Sequence, residues 1–445
     1  MGTVGLTPVR AVEKLMQHYS AATATAVRVL ESSNYADYTQ VTYPKLTVKI
    51  HSWHPVDRTE PFGYVEEAGV YSAVISKPEL LADYWTEQLE RLSNNYECTM
   101  TVTDSKVRIP PEYIDGLANH GRHHQEIPKP SLDDVDDAII DGDWDTFHGA
   151  EKPLFYFTPQ RFDIACARIE HYTGLPVAAV QKYILFTNYG MHTQEFQRYG
   201  LEQVIDPNSR YTELLASEQH YQMPRYDLIA PGNQGITMIN IGVGPSNAKT
   251  ITDCLAVLRP DAWVMIGHCA GLDGRMRIGD LILGNAYQRS DHVLDGYIPL
   301  NLPIPAIPEV QRALEASVFA IYGNDLSLMR TGTVLSTDDR NWEWHTPQAL
   351  WDWLRASTAA ACDMESATLA ANGYRYRIPY GTLLSVSDLP LHAVPKLPAA
   401  ARAFYSNSKQ AHVMCAVQTM EQLAANPERL RTRKLRRTMA EVPFR

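Results

Sequence analysis

The sequence predicts an α/β protein in two parts: an α+β domain over residues 1–176, then a domain over 177–445 built on a parallel or mixed sheet with helices on both faces. Three observations carry this. The 445 residues exceed what one typical hydrophobic core organises. Apolar strand-like runs alternate with helical patterns through the second part. A helix signal closing at Thr173-Gly174, with Pro176 barring its continuation, marks the boundary.

In the first part, Val9, Val12, Leu15, Met16, Tyr19, Ala26, Val27 and Leu30 recur at helical spacing, which predicts an amphipathic helix over 7–31. Residues 46–50 and 70–75 read as strands. Pro78, placed for a first turn, predicts a helix to residue 92. Residues 162–172 form the helix that ends this part. Beyond it, 183–186, 235–243, 262–267, 280–286 and 381–386 read as strands, with helices between several of them.

Composition bounds the function. Apolar residues make up 45% and charged residues 20%, an ordinary globular balance. The net charge of −11 argues against a nucleic-acid binder, which needs a positive field over the phosphates. Six cysteines without a CxxC pair give neither a zinc motif nor a compact disulfide framework, and they are expected reduced. No leader pattern and no apolar run of about 18 residues is found, so no membrane partner and a cytoplasmic address are expected.

Several conspicuous clusters lack the register that chemistry needs. The aspartates at 133, 134, 136, 137, 141, 143 and 145 miss the spacing and central glycine of an EF-hand, and read as a solvated acidic face. His120, His123 and His124 are interrupted by Gly121 and have no HExxH context, so they read as a polar loop. No metal ligand set is expected. The basic residues Arg429, Arg431, Arg433, Lys434, Arg436 and Arg437 have no interleaved aromatics and read as a solvated helix or subunit contact.

Four runs carry the functional reading. A strand leads into Gly242-Val243-Gly244-Pro245-Ser246-Asn247-Ala248-Lys249-Thr250, a tight turn before a helix start. It is not a P-loop, because Val243 and Ala248 stand where glycines are required, and it does not fit G-x-S-x-G. Val264-Met265-Ile266-Gly267-His268-Cys269-Ala270-Gly271 is an apolar strand ending in small residues, which places His268 where ligands favour the carboxyl ends of strands. Cys362-Asp363-Met364-Glu365-Ser366-Ala367 opens a helix. Leu384-Ser385-Val386-Ser387-Asp388 is a strand ending in a carboxylate.

A Met-Glu pair at a helix start, followed by a strand ending in Ser-Asp, resembles the purine nucleoside phosphorylase and nucleosidase superfamily. The runs 241–250, Thr337-Asp338-Asp339-Arg340-Asn341-Trp342-Glu343 and 379–384 resemble its bacterial AMP nucleosidases. Phe186-Thr187-Asn188-Tyr189 and His171-Tyr172-Thr173-Gly174 are similar to that family as well. The resemblance implies a nucleoside-phosphorylase-like catalytic domain with a mixed central sheet, and hydrolysis of AMP to adenine and ribose 5-phosphate. Alternatives are a purine nucleoside phosphorylase and a catalytically inactive nucleotide-binding regulator.

The resemblance also implies residue roles. Glu365 accepts hydrogen bonds from the ribose hydroxyls, Met364 packs on the sugar, and Asp388 protonates the purine N7. Gly244 belongs to the turn that cradles the ligand. Phosphorolytic relatives carry an arginine where this chain has Met265, which removes a phosphate ligand and leaves water as nucleophile, with His268 to orient it. Trp342 stacks on the purine or packs in the core. Arg340, Arg289, His292, His192 and Arg210 are candidates for the 5′-phosphate. No cofactor is implied in the chemical step. Control by ATP, as MgATP, and by phosphate through an N-terminal regulatory domain is implied, together with a homohexamer.

Overall fold

The computed structural model describes residues 5–56, 59, 61–117, 124–142, 151–325, 327–392, 398–431 and 441–445. His120, His123, Asp143, Asp145, Arg433, Lys434, Arg436 and Arg437 lie outside the described residues. The chain divides into two compact units, one of residues 1–168, 257–259 and 432–445, the other of 169–256 and 260–431.

The first unit holds a four-stranded sheet of β1 (Thr42–Ile50), β2 (Gly69–Val74), β3 (Cys98–Arg108) and β4 (Glu151–Pro153), ordered β3-β1-β2-β4. Helix α1 (Pro8–Ser32) starts where Thr7 Oγ1 accepts the Arg10 amide, and its inner face buries Ala11, Val12, Leu15, Tyr19, Ala22 and Ala26. The helix expected from Pro78 begins as a tight turn, Pro78–Leu81, and becomes regular as α2 (Ala82–Asn95). Strand β3 escapes the sequence reading because its apolar face is thin: Met100 and Val102 are buried while Thr101 and Thr103 are exposed.

In the acidic run, Asp137 pairs with Arg161 at 3.0 Å just before the short α3 (Ala138–Asp141), and Asp133, Asp134 and Asp136 are exposed. His124 packs at a tilt against Tyr35 with ring centres 4.2 Å apart. These are solvent-face and packing roles.

Two details differ from the expected boundary at 176. The division falls within α4 (Pro159–Thr173), because packing on separate cores, not the helix end, separates the units. The carboxyl-terminal residues group with the first unit: the Pro443 carbonyl accepts from Gly63 N at 2.7 Å, the Gln88 side chain accepts from Arg445 N at 2.8 Å, and the Phe444 ring meets Trp85.

The second unit is a ten-stranded mixed sheet. Its strands are β5 (Tyr183–Thr187), β6 (Glu213–Ala216), β7 (Arg225–Ile229), β8 (Ile236–Asn240), β9 (Ala262–Gly271), β10 (Leu281–Ser290), β11 (Ile304–Pro305), β12 (Met329–Thr337), β13 (Ala359–Asp363) and β14 (Tyr380–Asp388). The pairings β9-β14-β10-β12-β13-β9 close into a ring, with β14 parallel to β9 and β13 antiparallel to it. From β9 the sheet continues through parallel β5 and β8. Every residue of β5 and β9 is buried, as expected of strands covered on both faces. The covering helices include α5 (Gly190–Ile205), α6 (Pro245–Leu255), α7 (Pro308–Tyr322), α8 (Pro347–Leu354), α9 (Ser366–Tyr376) and α10 (Pro398–Ala424). Exposed Arg429 lies on α11 (Pro427–Arg431). Among the described residues no helix is long and apolar enough to cross a membrane.

Candidate active site

Strands β5, β8, β9 and β14 run in the same direction, so their carboxyl ends collect on one side of the sheet. Ala270 of β9 pairs with Asp388 on one flank and with Cys362 on the other, which brings the end of β14 and the β13-α9 junction to either side of one strand. The β9-β14 register shifts between Val386 and Asp388, an irregularity that re-aims the last residues of β14. A cavity of about 380 Å³ opens there.

Glu365 is the residue before α9 and is 2% exposed. Its Oε1 accepts the Gly244 amide at 2.6 Å and its Oε2 accepts Asn188 Nδ2 at 3.3 Å. Gly242 and Gly244 have φ of +69° and +113°, a backbone region that a side chain disfavours, so the turn before α6 that delivers this amide depends on glycine. Asp363 accepts from Ser336 Oγ and Ser366 Oγ, each at 2.5 Å, and from the Ser366 amide at 3.0 Å.

Burial and the nearby Asp363 charge push the Glu365 carboxyl up to about 8, against the lowering effect of hydrogen bonds from Gly244, Met364 and Asn188. Burial also raises Asp363, opposed by its serine donors. Two carboxylates so close in a dry site do not ionise independently. Asp363, held by Ser336, Ser366 and backbone donors, is the better-stabilised anion, and Glu365 is the carboxyl with the raised proton affinity.

Asp388 is 5% exposed and receives Ser387 Oγ at 2.5 Å; the same hydroxyl is 3.2 Å from the Cys269 carbonyl. His268 also lines the cavity, its ring edge-on to Tyr189 with centres 4.4 Å apart. Met265 is 1% exposed and interior, so it offers an incoming phosphate nothing.

The cavity brings together Glu365, Asp388, Met364, His268, Arg340 and Trp342 from the residues singled out in the sequence, with Gly244 held against Glu365. Trp342 is both wall and core, 6% exposed and packed on Trp353. Four other candidates go elsewhere. Arg289 is buried and donates to the Ile298 carbonyl at 2.6 Å. His292 pairs with Asp295 at 3.0 Å and lines a neighbouring cavity with Asp338 and His345. Arg210 stacks over Tyr211 in a separate cavity beside Glu421. His192 is wholly buried behind His268, its ring 5.4 Å from it. Lying in a segment near the site does not determine which way a side chain points.

Sequence reasoning gave no role to Asn188, Tyr189, Asp363 or Ser387. Asn188 reaches Glu365 across 177 positions of sequence, and only its place in a family-like run marked it. Asp363 and Ser387 adjoin the two chosen carboxylates, and that adjacency was a usable signal.

A closed ring of strands within a mixed sheet, with two acids and a glycine turn at their ends, defines a nucleoside-cleaving protein of the phosphorylase type, and residues 205–421 match the phosphorylase superfamily. Residues 10–151 match the family described as the bacterial AMP nucleoside phosphorylase N-terminus. The chain is 41% identical to the AMP nucleosidases of Escherichia coli K12 and O157:H7 over 99% of each chain, and it belongs to the AMP nucleosidase family. It is also similar to the crystal structure of AMP nucleosidase from Bacteroides thetaiotaomicron, at 28% identity, covering 60% of this chain and 98% of that one, with a TM-score of 0.48.

Proposed function

We infer that the chain hydrolyses the N-glycosidic bond of AMP, releasing adenine and ribose 5-phosphate. The observation that carries this is the pairing of Glu365 and Asp388 in one cavity, within a chain similar along its whole length to AMP nucleosidases.

Cleavage of the C1′–N9 bond sends its electron pair to the base and leaves positive charge on the sugar. Asp388 donates a proton to adenine N7, so the base departs neutral. Glu365 in its ionised form accepts hydrogen bonds from the ribose 2′- and 3′-hydroxyls and stabilises the cationic sugar, with Met364 against it. The Gly244 amide and Asn188 hold Glu365 in place. Water, oriented by His268, adds to C1′ and releases one proton, keeping the other as the anomeric hydroxyl, and the released proton restores Asp388 through solvent. Trp342 walls the purine.

Arg340 is the one arginine or lysine among the described lining residues, and it is the 5′-phosphate ligand in this reading. The first unit is regulatory and responds to MgATP and phosphate, and the protein acts as a cytoplasmic homohexamer. Deleting residues 1–168 and finding the ATP response intact would remove that role from the first unit; a solution mass decides the assembly.

Incubation with AMP and with adenosine, each with and without phosphate, tests the main reading. Adenine release from AMP without phosphate is expected. Release only from adenosine and only with phosphate would make the protein a phosphorylase.

A further inference from the structure

Among the described residues, one set of side chains is grouped as metal ligands are: His192 at the start of α5, His268 on β9 and His412 on α10. One ring nitrogen from each lies within 4.8 Å of those of the other two, and the three are 0%, 7% and 1% exposed. Ring centres are 5.4 Å apart for His192 and His268, 5.2 Å for His192 and His412, and 6.1 Å for His268 and His412. Three imidazoles bound tetrahedrally to one ion, with metal–nitrogen bonds of about 2.0–2.1 Å, have centres roughly 5 Å apart. The cluster needs only a small contraction to reach that arrangement.

The outer contacts fix two of the rings for such a role. His412 Nε2 lies 2.9 Å from the Leu383 carbonyl, which can only accept, so Nε2 carries the hydrogen and the lone pair sits on Nδ1. His192 Nδ1 pairs with Thr187 Oγ1 at 2.8 Å, leaving Nε2 as its other nitrogen. That Nε2 is buried with no hydrogen-bond partner among the described residues. A buried polar atom in this state calls for an occupant. Ligating histidines characteristically hold their second nitrogen to a carbonyl or hydroxyl in this way.

We propose that His192, His268 and His412 form a binding site for a zinc-type divalent transition-metal ion, with His268 joining it to the cavity that contains Glu365 and Asp388. Three neutral nitrogens and no carboxylate favour Zn²⁺, Co²⁺, Ni²⁺ or Cu²⁺ over Mg²⁺ and Ca²⁺, which demand oxygen. The ion ties α5, β9 and α10 together behind the cavity.

The test uses the full chain, stripped with a chelator. Added Co²⁺ should give visible d–d absorption at one ion per chain, bleached by Zn²⁺, and Zn²⁺ but not Mg²⁺ should raise Tm. Thr187→Val, which removes an outer partner, should weaken Co²⁺ binding about 10–100-fold, and His412→Gln should weaken it further. Absence of both the absorption and the Zn²⁺-dependent rise in Tm would overturn the site. So would unaltered Co²⁺ affinity in both folded variants. If His412→Gln does not fold, Thr187→Val decides.

Discussion

Each unit of the molecule buries carboxyl groups whose proton affinity is raised, and the two cases differ in what the acid faces. In the first unit Asp163 accepts from Tyr43 Oη and Ser76 Oγ, both at 2.5 Å, and burial pushes it up to about 7. In the second unit Glu365 is pushed up to about 8 but lines a cavity that Asp388 also lines. A shifted acid marks burial; a site needs a cavity and a second group with work to do. Asp163 joins β1, α4 and the segment after β2 through hydroxyls, which is an architectural task.

Four measurements would break or sharpen that contrast. The largest effect is expected at Asp388: Asp388→Asn should lower kcat on AMP by about 10²–10⁴ with the fold retained, while Asp163→Asn leaves kcat in place. If the two variants behaved alike, the contrast would fail. Next is Arg340→Ala, which removes a charge-assisted contact worth about 1.5–3 kcal/mol and should raise KM for AMP roughly 10–100-fold with little change for adenosine.

The third is a pH profile. A carboxyl raised to about 8 is protonated below that pH, and the reaction uses its ionised form. The acid limb of kcat/KM should therefore bend near pH 8 and lose about tenfold per unit below it. Asp363→Asn removes the neighbouring charge and should move that bend to lower pH. An acid limb unmoved by Asp363→Asn would take the coupling away.

The smallest effect is on stability. Asp163 binds its proton more tightly folded than unfolded, so its contribution is full below the ordinary aspartate range and is lost as pH rises through about 7. The Tm of the unsubstituted chain should carry that decline, and Asp163→Asn should flatten it. An identical slope in the two proteins would assign the proton elsewhere.

Much of the second unit was legible because β5 and β9 are apolar runs that end at polar or small residues and β14 carries Leu383, Leu384 and Val386 up to a terminal carboxylate, a pattern that both places strands and points to their functional ends. Glu365 and Asp388 were legible as neighbours of helix and strand termini. Strands β12 and β13 were not, since Met329–Thr337 mixes polar and apolar residues and Ala359–Asp363 is short and alanine-rich. Arg289, His292, His192 and Arg210 lie in segments near the site, but strand register and side-chain direction send each to its own surroundings.

The sequence by itself determined the two-part α/β character, the glycine turn before α6 and the carboxylates at the ends of their elements. These are local properties, carried by apolar periodicity, backbone preference and side-chain chemistry. Tertiary structure alone decided that Asn188 and Gly244 grip Glu365, that Arg340 and not Arg210 reaches the cavity, and that three histidines far apart in the chain share one buried spot. Such contacts depend on strand register and on which face each residue presents, and neither is fixed until the sheet has closed.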